Sequence, residues 1–202
     1  MFIRGFKIRK MKIKTIKKLT DLKHLNLFSI KYLDQRNADK SWIFASRSDA
    51  VNPLDKSRVV PDAVVVVPFH TLEQKLVLIK EYRVALGGYQ YGFPAGLVDK
   101  DETIYETAKR ELFEETGLNL TRITKTSPPV FSSSGMTDEA VSLVFAECQG
   151  KPSNRFNEAS EDIETIMVSN EEALSLMNDP TIKWDVKTWI VLNFFSAQGS
   201  LI

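Results

Sequence analysis

Cysteine and histidine are scarce in this 202-residue chain, which has one cysteine, Cys148, and two histidines, His24 and His70. A single cysteine excludes an intrachain disulfide, and a reducing interior is the default for such a chain, so we expect a cytoplasmic protein. Neither histidine has the spacing of a metal site, and we expect both to be structural or on the surface. No apolar run approaches the roughly 18 residues that cross a membrane, so no membrane partner is expected.

Acidic residues are absent from the first eighteen positions. The whole chain, in contrast, has the composition of a typical globular protein, with 43% hydrophobic and 26% charged residues and a net charge of +1. No apolar stretch follows this basic run, so we do not expect a signal peptide. The run is typical either of a solvated tail or of a surface for anions, and we favour the tail, with no nucleic-acid partner. Its basic residues are Arg4, Lys7, Arg9, Lys10, Lys12, Lys14, Lys17 and Lys18.

Two strand-like stretches, residues 27–33 and 41–46, flank a polar turn and predict a β-hairpin. The period of two places Trp42 and Phe44 on one face of the second strand, which ends at Arg47. Such aromatic residues form a core or a subunit contact, or they offer a stacking surface to a nucleobase. Both interpretations are open at this point.

A second pair of strands is predicted in the middle of the chain. The β-branched run at residues 63–70 is typical of a strand covered on both faces, and residues 75–82 form its hairpin partner. Arg83 follows at the end of that partner strand, where a guanidinium can hold a phosphate oxygen. The glycine-rich residues 84–96 predict a flexible turn with a close backbone approach.

The remaining pattern predicts an α+β protein with a mixed sheet and helices on its outside. We expect Trp184, Trp189 and Phe194 to be core residues of the closing helix. We divide the chain into a basic N-terminal extension (1–24), an N-terminal β-hairpin (25–50) and a main domain (51–202). The later elements are strands at 122–131, 141–148 and 163–168, a helix at 170–177 that begins at Asn170, and a helix at 183–197.

An acidic cluster lies in residues 96–118. Glu111, Glu114 and Glu115 are spaced i, i+3 and i+4, so in a helix all three share one face. Neighbouring carboxylates repel one another, and a hard divalent cation such as Mg²⁺ is the natural partner for them.

Local signals support a helix here. Thr103 and Glu106 fit a capping box, and Gly117 is a favourable C-terminal stop. We expect the helix to point its carboxylates outward and to pack its opposite side on a core through Ile104, Ala108, Leu112 and Leu118.

These residues also carry a family resemblance. The segment is similar to a complete Nudix box, the signature of the Nudix hydrolases. It contains Gly96, then Glu102 after five intervening residues, and then RELFEETGL at 110–118 after seven more. The resemblance implies an α/β/α sandwich for residues 51–202.

The resemblance also implies roles within the box. Glu111 and Glu115 are the main ligands of Mg²⁺ (Mn²⁺ as a substitute), with the carbonyl of Ala95 as a further ligand. Glu114 is a ligand or orients water. The structural positions of the motif are Gly96, Glu102, Arg110 and Gly117, with an ion pair between Arg110 and Glu102.

Within the family the chain most resembles the ADP-ribose pyrophosphatase branch. A strand end of EQYR type is matched by Glu81, Tyr82 and Arg83, and a Glu-x-Pro-Ala-Gly segment by residues 92–96, where Gly92 replaces the glutamate. A Ser-Pro-Gly-type loop that carries a glutamate is matched by residues 133–139, where Ser134 replaces the proline. The loop glutamate falls on Glu139, our candidate general base, with Asp138 as the alternative.

The expected function is metal-dependent hydrolysis of a pyrophosphate bond, with ADP-ribose giving AMP and ribose 5-phosphate. Arg47 and Arg83 would bind phosphates, and Trp42 or Phe44 would stack on a base. The resemblance also implies a homodimer, for which the hairpin is the candidate contact. Two alternatives stand beside this: a Nudix enzyme for another nucleotide sugar, a dinucleoside polyphosphate or a damaged nucleoside triphosphate, and a non-catalytic nucleotide-binding regulator.

Overall fold

The computed structural model describes residues 11–53 and 60–198. The described residues divide into two compact units, one drawn from Met1–Val60 with Phe131–Ala140 and the other from Pro61–Val130 with Val141–Ile202. Residues 1–10, which carry half of the basic run, lie outside the described residues.

The first unit contains a three-stranded antiparallel sheet in the order β1-β2-β3, with β1 at Lys12–Lys18, β2 at Asn26–Leu33 and β3 at Asp39–Ser46. The predicted hairpin is therefore confirmed. Phe28 is paired with Phe44 across it, and their ring centroids are 5.8 Å apart.

The solvated-tail prediction is wrong for residues 12–18, because these form β1 against β2. Acidic partners from other segments satisfy the lysines of the strand. Lys18 bonds Asp21 at 2.8 Å and Asp49 at 3.1 Å. Asp21 is a near neighbour, but Asp49 lies 31 residues away in sequence, so the composition of the run alone did not reveal this contact.

The second unit is built on a mixed sheet. Its main path is β12-β6-β5-β4-β10-β8, with β11 beside β5, β7 beside β4 and β9 beside β10. Strands β4 and β10 are parallel, as are β12 and β6. The strands are β4 Ala63–His70, β5 Lys75–Arg83, β6 Gly88–Gly92, β7 Ala95–Leu97, β8 Asn119–Thr126, β9 Val130–Phe131, β10 Ala140–Gln149, β11 Ile163–Val168 and β12 Lys183–Trp184.

Helices cover both faces of this sheet. They are α1 Ile104–Thr116, α2 Asn170–Met177 and α3 Val186–Gln198. Alternate residues of β4 face the two cores: Val64 and Val66 pack in the cluster of Leu112, and Val65 and Val67 in that of Leu192. The α/β/α arrangement with a mixed sheet is thus as expected from the sequence, and none of the described helices is long and apolar enough to cross a membrane.

Two local predictions are wrong. The segment predicted as a flexible turn contains a 3₁₀ turn at Val84–Leu86 and the two strands β6 and β7. Trp184 lies in β12 and not in the closing helix. Trp189 and Phe194 are 44% and 56% exposed. Most sides of α3 are apolar, and the helix buries a side that does not include these two residues. The buried residues of α3 are Thr188, Val191, Leu192 and Phe195. The helix α2 begins at Asn170 as predicted, but its cap is Ser169.

Candidate active site

Both ends of α1 are fixed by local hydrogen bonds. The Thr103 hydroxyl accepts the Glu106 N–H at 3.2 Å, and the Glu106 carboxylate accepts the Thr103 N–H at 2.9 Å. Gly117 ends the helix with φ of 71°, and its N–H donates to the carbonyl of Phe113. The predicted capping box and glycine stop are confirmed, and they fix which residues of α1 face the sheet.

The carboxylates of α1 do not all point outward, which corrects the expectation from the sequence. Glu111 is 8% exposed and Glu115 is 5% exposed. Glu115 accepts the Ala95 N–H at 3.1 Å, and the Glu111 carboxylate fills the space in which a Cβ on Gly96 would stand. The backbone of β7 can therefore approach the helix closely enough to bury both groups. The side chain of Glu114 stays 44% exposed.

Arg110 organises the outer side of this cluster. Its guanidinium makes two 2.8 Å hydrogen bonds to the two carboxylate oxygens of Glu102, which is the ion pair expected from the sequence. The same side chain donates to Glu111 at 2.6 Å and to Glu114 at 3.2 Å. It also donates to the carbonyl of Leu97 in β7. The hydrogen bonds from Arg110 lower the pKa of Glu102 to about 2.

The buried carboxylates are electrostatically costly. Burial raises the pKa of Glu111, and the ion pair with Arg110 opposes this rise. Burial raises the pKa of Glu115 well above its usual value, and repulsion from Glu111 raises it further, against the hydrogen bond from Ala95. Among the described residues Glu115 has no ion pair. The cluster holds more negative charge than Arg110 alone offsets.

Two further carboxylates act on this cluster and were not singled out from the sequence. Glu81 and Glu161 both add repulsion to Glu115. Burial raises the pKa of Glu81, while Arg83 lowers it through an ion pair at 2.8 Å. Glu81 stood in the strand-end motif and could have been noticed there. Glu161 precedes β11 in an irregular loop, and no local pattern marks it.

The donor set fits a hard divalent cation, since the buried groups are carboxylate oxygens with excess negative charge. Over residues 11–53 and 60–198, however, no three of the histidine, cysteine, aspartate and glutamate side chains already stand in a metal-holding arrangement. Glu111 is bonded to Arg110 instead. Arg83 lies at the last position of β5 as predicted, with its side chain 49% exposed.

The candidate residues of the first unit also contact one another. The Arg47 Nε lies 3.1 Å from the Glu139 Oε1, and the Ser46 hydroxyl donates to Asp138 at 2.9 Å. Trp42 is half exposed, whereas Phe44 is buried against Phe28. Trp42 and Phe44 line a cavity of about 510 Å³ together with Ile30, Asn52, Phe131 and Thr137.

His70 and Cys148 are both buried, whereas His24 is exposed. His70 is buried between β4 and its turn, where its ring contacts the carbonyl of Gly150 at 3.0 Å and the N–H of Glu73 at 3.1 Å. Cys148 is buried and free, and burial raises the pKa of its thiol to about 12.

The chain is similar to several known proteins. The model of the NUDIX domain matches residues 60–190. The ADP-ribose pyrophosphatase of Bacillus subtilis is 29% identical over 184 residues, which cover 85% of this chain and 98% of that protein. The methanol dehydrogenase activator of Bacillus methanolicus is 32% identical over 142 residues, covering 70% and 75% of the two chains.

A crystal structure of an ADP compounds hydrolase has the same fold, with a TM-score of 0.72 and 21% identity over 96% of this chain and 99% of that one. The match of the domain model spans most of the chain and includes the whole carboxylate cluster of α1. The chain therefore belongs to the NUDIX family and is a Nudix hydrolase.

Proposed function

We propose that this Nudix hydrolase cleaves the pyrophosphate bond of a nucleoside diphosphate joined to a second group, and that ADP-ribose is the substrate, giving AMP and ribose 5-phosphate. The observation that carries the proposal is the pair of buried carboxylates, Glu111 and Glu115, beside the backbone of Ala95 and Gly96. The similarity to the ADP-ribose pyrophosphatase of Bacillus subtilis supports the choice of substrate.

A pyrophosphate resists hydrolysis because its anionic oxygens repel a nucleophile, so charge neutralisation and an oriented water are both needed. Mg²⁺, or Mn²⁺ in its place, would be held by Glu111, Glu115 and the carbonyl of Ala95, and would supply charge neutralisation and water activation. In the reaction the water oxygen bonds to one phosphorus, the bridging P–O bond breaks, and a proton passes to a base. Glu114 would orient this water.

We assign the role of base to Glu139 and phosphate binding to Arg47 and Arg83. The Arg47–Glu139 ion pair supports a shared role, because an arginine that binds a carboxylate here can bind a phosphate oxygen with the same donors. A substrate phosphate at Arg47 would compete with Glu139 for the guanidinium and leave the carboxylate free to take a proton.

The cavity beside Trp42 is our candidate for the nucleobase pocket. Its volume of about 510 Å³ is within the range of small-molecule pockets. Trp42 offers a half-exposed indole face for stacking, while Phe44 is buried and forms part of the wall. This division favours Trp42 over Phe44 as the stacking residue.

We also propose a cytoplasmic homodimer that forms through β2 and β3. Ile43, 60% exposed on β3, supports this as a contact residue. Sedimentation of the wild type and of an Ile43→Glu variant tests the contact. A wild-type monomer would contradict it.

The activity is tested with purified protein, Mg²⁺ or Mn²⁺, and a panel of ADP-ribose, UDP-glucose, GDP-mannose, diadenosine polyphosphates and nucleoside triphosphates. We expect AMP and ribose 5-phosphate from ADP-ribose, and no turnover in EDTA. Faster turnover of another compound would show that ADP-ribose is not the preferred substrate. This comparison matters because Gly92 and Ser134 depart from the motifs of the ADP-ribose pyrophosphatase branch. Binding of ADP-ribose without turnover of any compound would favour the regulator.

A further inference from the structure

The loop at residues 132–139 is attached to the end of β3 through backbone hydrogen bonds. The Ala45 N–H donates to the carbonyl of Met136 at 2.8 Å, and the Asp138 N–H donates to the carbonyl of Ala45 at 3.4 Å. Thr137 and Ala45 form an isolated parallel bridge. The loop is thus hydrogen-bonded to the edge of β3 at one residue, Ala45, and this contact fixes the position of the loop backbone at Thr137.

Ser46 adds a side-chain contact at the same place. Its side chain is buried, with 1% of the residue exposed, and its hydroxyl donates to the Oδ2 of Asp138 at 2.9 Å. The hydroxyl oxygen of Ser46 in turn accepts the N–H of Ser48 at 3.1 Å. A buried hydroxyl is costly without partners, so the bond to Asp138 contributes to holding the loop.

Hydrogen bonds inside the loop also hold the two residues that flank Asp138, Thr137 and Glu139. The Thr137 hydroxyl accepts the Glu139 N–H at 3.1 Å, and the carbonyl of Glu139 accepts the Ser132 N–H at 3.1 Å. The Thr137 N–H in turn donates to the carbonyl of Ser133 at 2.9 Å. A shift of Asp138 therefore displaces the backbone that carries Glu139.

We infer that Ser46 is a positioning residue, which acts through Asp138 to hold Glu139 in its reactive place. The inference rests on the proposed function, in which Glu139 accepts the proton. It also divides the two neighbouring acids: Asp138 anchors the loop and Glu139 performs the chemistry. Because Thr137 and Asp138 also line the cavity beside Trp42, the same anchor shapes one wall of the proposed base pocket.

The test compares Ser46→Ala, Asp138→Ala and Asp138→Asn in the full-length protein, with Ser41→Ala on the same strand as the matched control. Asparagine keeps an oxygen that accepts from Ser46, whereas alanine does not. We expect kcat for ADP-ribose to fall about 10- to 100-fold in both alanine variants, since misplacement by about 1 Å has costs of this order. Asp138→Asn should recover most of the kcat that Asp138→Ala loses, and Ser41→Ala should stay within about threefold of the wild type. The double variant Ser46→Ala/Asp138→Ala should lose no more than either single one.

Hydrogen exchange of the amides at residues 137–139 provides a measurement that does not depend on turnover. Exchange should quicken in the two alanine variants and not in Asp138→Asn. Unchanged exchange in Ser46→Ala would overturn the anchor, and faster exchange with unchanged kcat would overturn the positioning role. Inactive Asp138→Asn would make Asp138 the base instead. Absence of turnover in the wild type would remove the proposed function, and with it the catalytic part of this inference, while exchange would still decide whether the anchor exists.

Discussion

The Glu111 carboxylate occupies the space that a side chain on Gly96 would need. A Cβ on Gly96 would overlap both oxygens of Glu111. No other glycine among the described residues is so closely opposed by a side chain. The glycine and the glutamate of the box are therefore two halves of one contact, in which the backbone of β7 approaches α1 because residue 96 has no side chain.

This contact predicts that Gly96→Ala destabilises the protein and lowers its activity. The methyl group must displace Glu111 or separate β7 from α1, and overpacking of this kind costs about 1–3 kcal/mol. Urea unfolding measures the free energy, and kcat for ADP-ribose should fall in parallel. Gly92→Ala is the matched control, because its Cβ would find its nearest neighbour, the Cγ1 of Ile79, at an ordinary 3.9 Å. An active and fully stable Gly96→Ala protein would contradict the close contact.

The Glu102–Arg110 ion pair predicts a pH-dependent contribution to stability. Hydrogen bonds from Arg110 lower the pKa of Glu102 from 4.5 to about 2, so its stabilising effect is fully present above the unfolded value of 4.5 and is lost as pH falls towards 2. The difference in unfolding free energy between wild type and Glu102→Gln should thus be constant from pH 7 to about 5 and should shrink below it.

The same substitution in a protein that lacks the Arg110 guanidinium distinguishes the effect of this ion pair from the titration of the other acidic residues. In an Arg110→Met protein the difference produced by Glu102→Gln should shrink much less between about pH 4.5 and pH 2, because only the weaker contributions, such as the hydrogen bond from Thr107, remain. A profile with the same shape in both backgrounds would show that the guanidinium is not the cause of the lowered pKa.

The helix of the box could be predicted because its signals are local. Thr103, Glu106 and Gly117 act within one turn of the residues they cap, so the sequence contains all the information needed. The burial of Glu111 and Glu115 could not be predicted in the same way. It depends on how closely β7 approaches, and the spacing of three glutamates describes a shared face without saying what covers that face.

Other misses also come from contacts between distant segments. A helix that is apolar on most sides gives no sign of which side is buried, and Trp189 and Phe194 of α3 proved exposed. Two lysines of β1 have acidic partners that are distant in sequence, Lys14 with Asp39 and Lys18 with Asp49. Glu161 reaches the carboxylate cluster from an irregular loop without a motif. In each case the missing information was the tertiary neighbour.

Removal of the charge on Glu115 should stabilise the metal-free protein while it lowers the activity. Burial, with repulsion from Glu111, raises the pKa of Glu115 well above 4.5. A carboxyl group with a raised pKa in the folded state makes stability fall as pH rises from 4.5 through the folded value. In EDTA at pH 8, Glu115→Gln should therefore melt at a higher temperature than the wild type.

The same variant tests the metal assignment. Mg²⁺ should raise the melting temperature of the wild type and leave Glu115→Gln unchanged, and kcat should fall at least about 100-fold, the upper end of the cost of removing a supporting group. Glu114→Gln is the control, because its half-exposed carboxylate should have a smaller effect on the metal-free protein. Full activity of Glu115→Gln would remove Glu115 from the set of ligands.

Replacement of Trp42 should weaken substrate binding more than it slows the reaction. Base–aromatic stacking contributes about 1–3 kcal/mol when measured by alanine substitution, which corresponds to a rise in KM of about 5- to 150-fold. Because the base lies away from the reacting phosphorus, kcat should change little. Trp42→Phe, which keeps an aromatic face, should retain most of the affinity. Trp189→Ala is a matched control, since Trp189 is 44% exposed against 50% for Trp42 but lies on α3. Equal KM values for Trp42→Ala and Trp189→Ala would show that the cavity beside Trp42 does not hold the base.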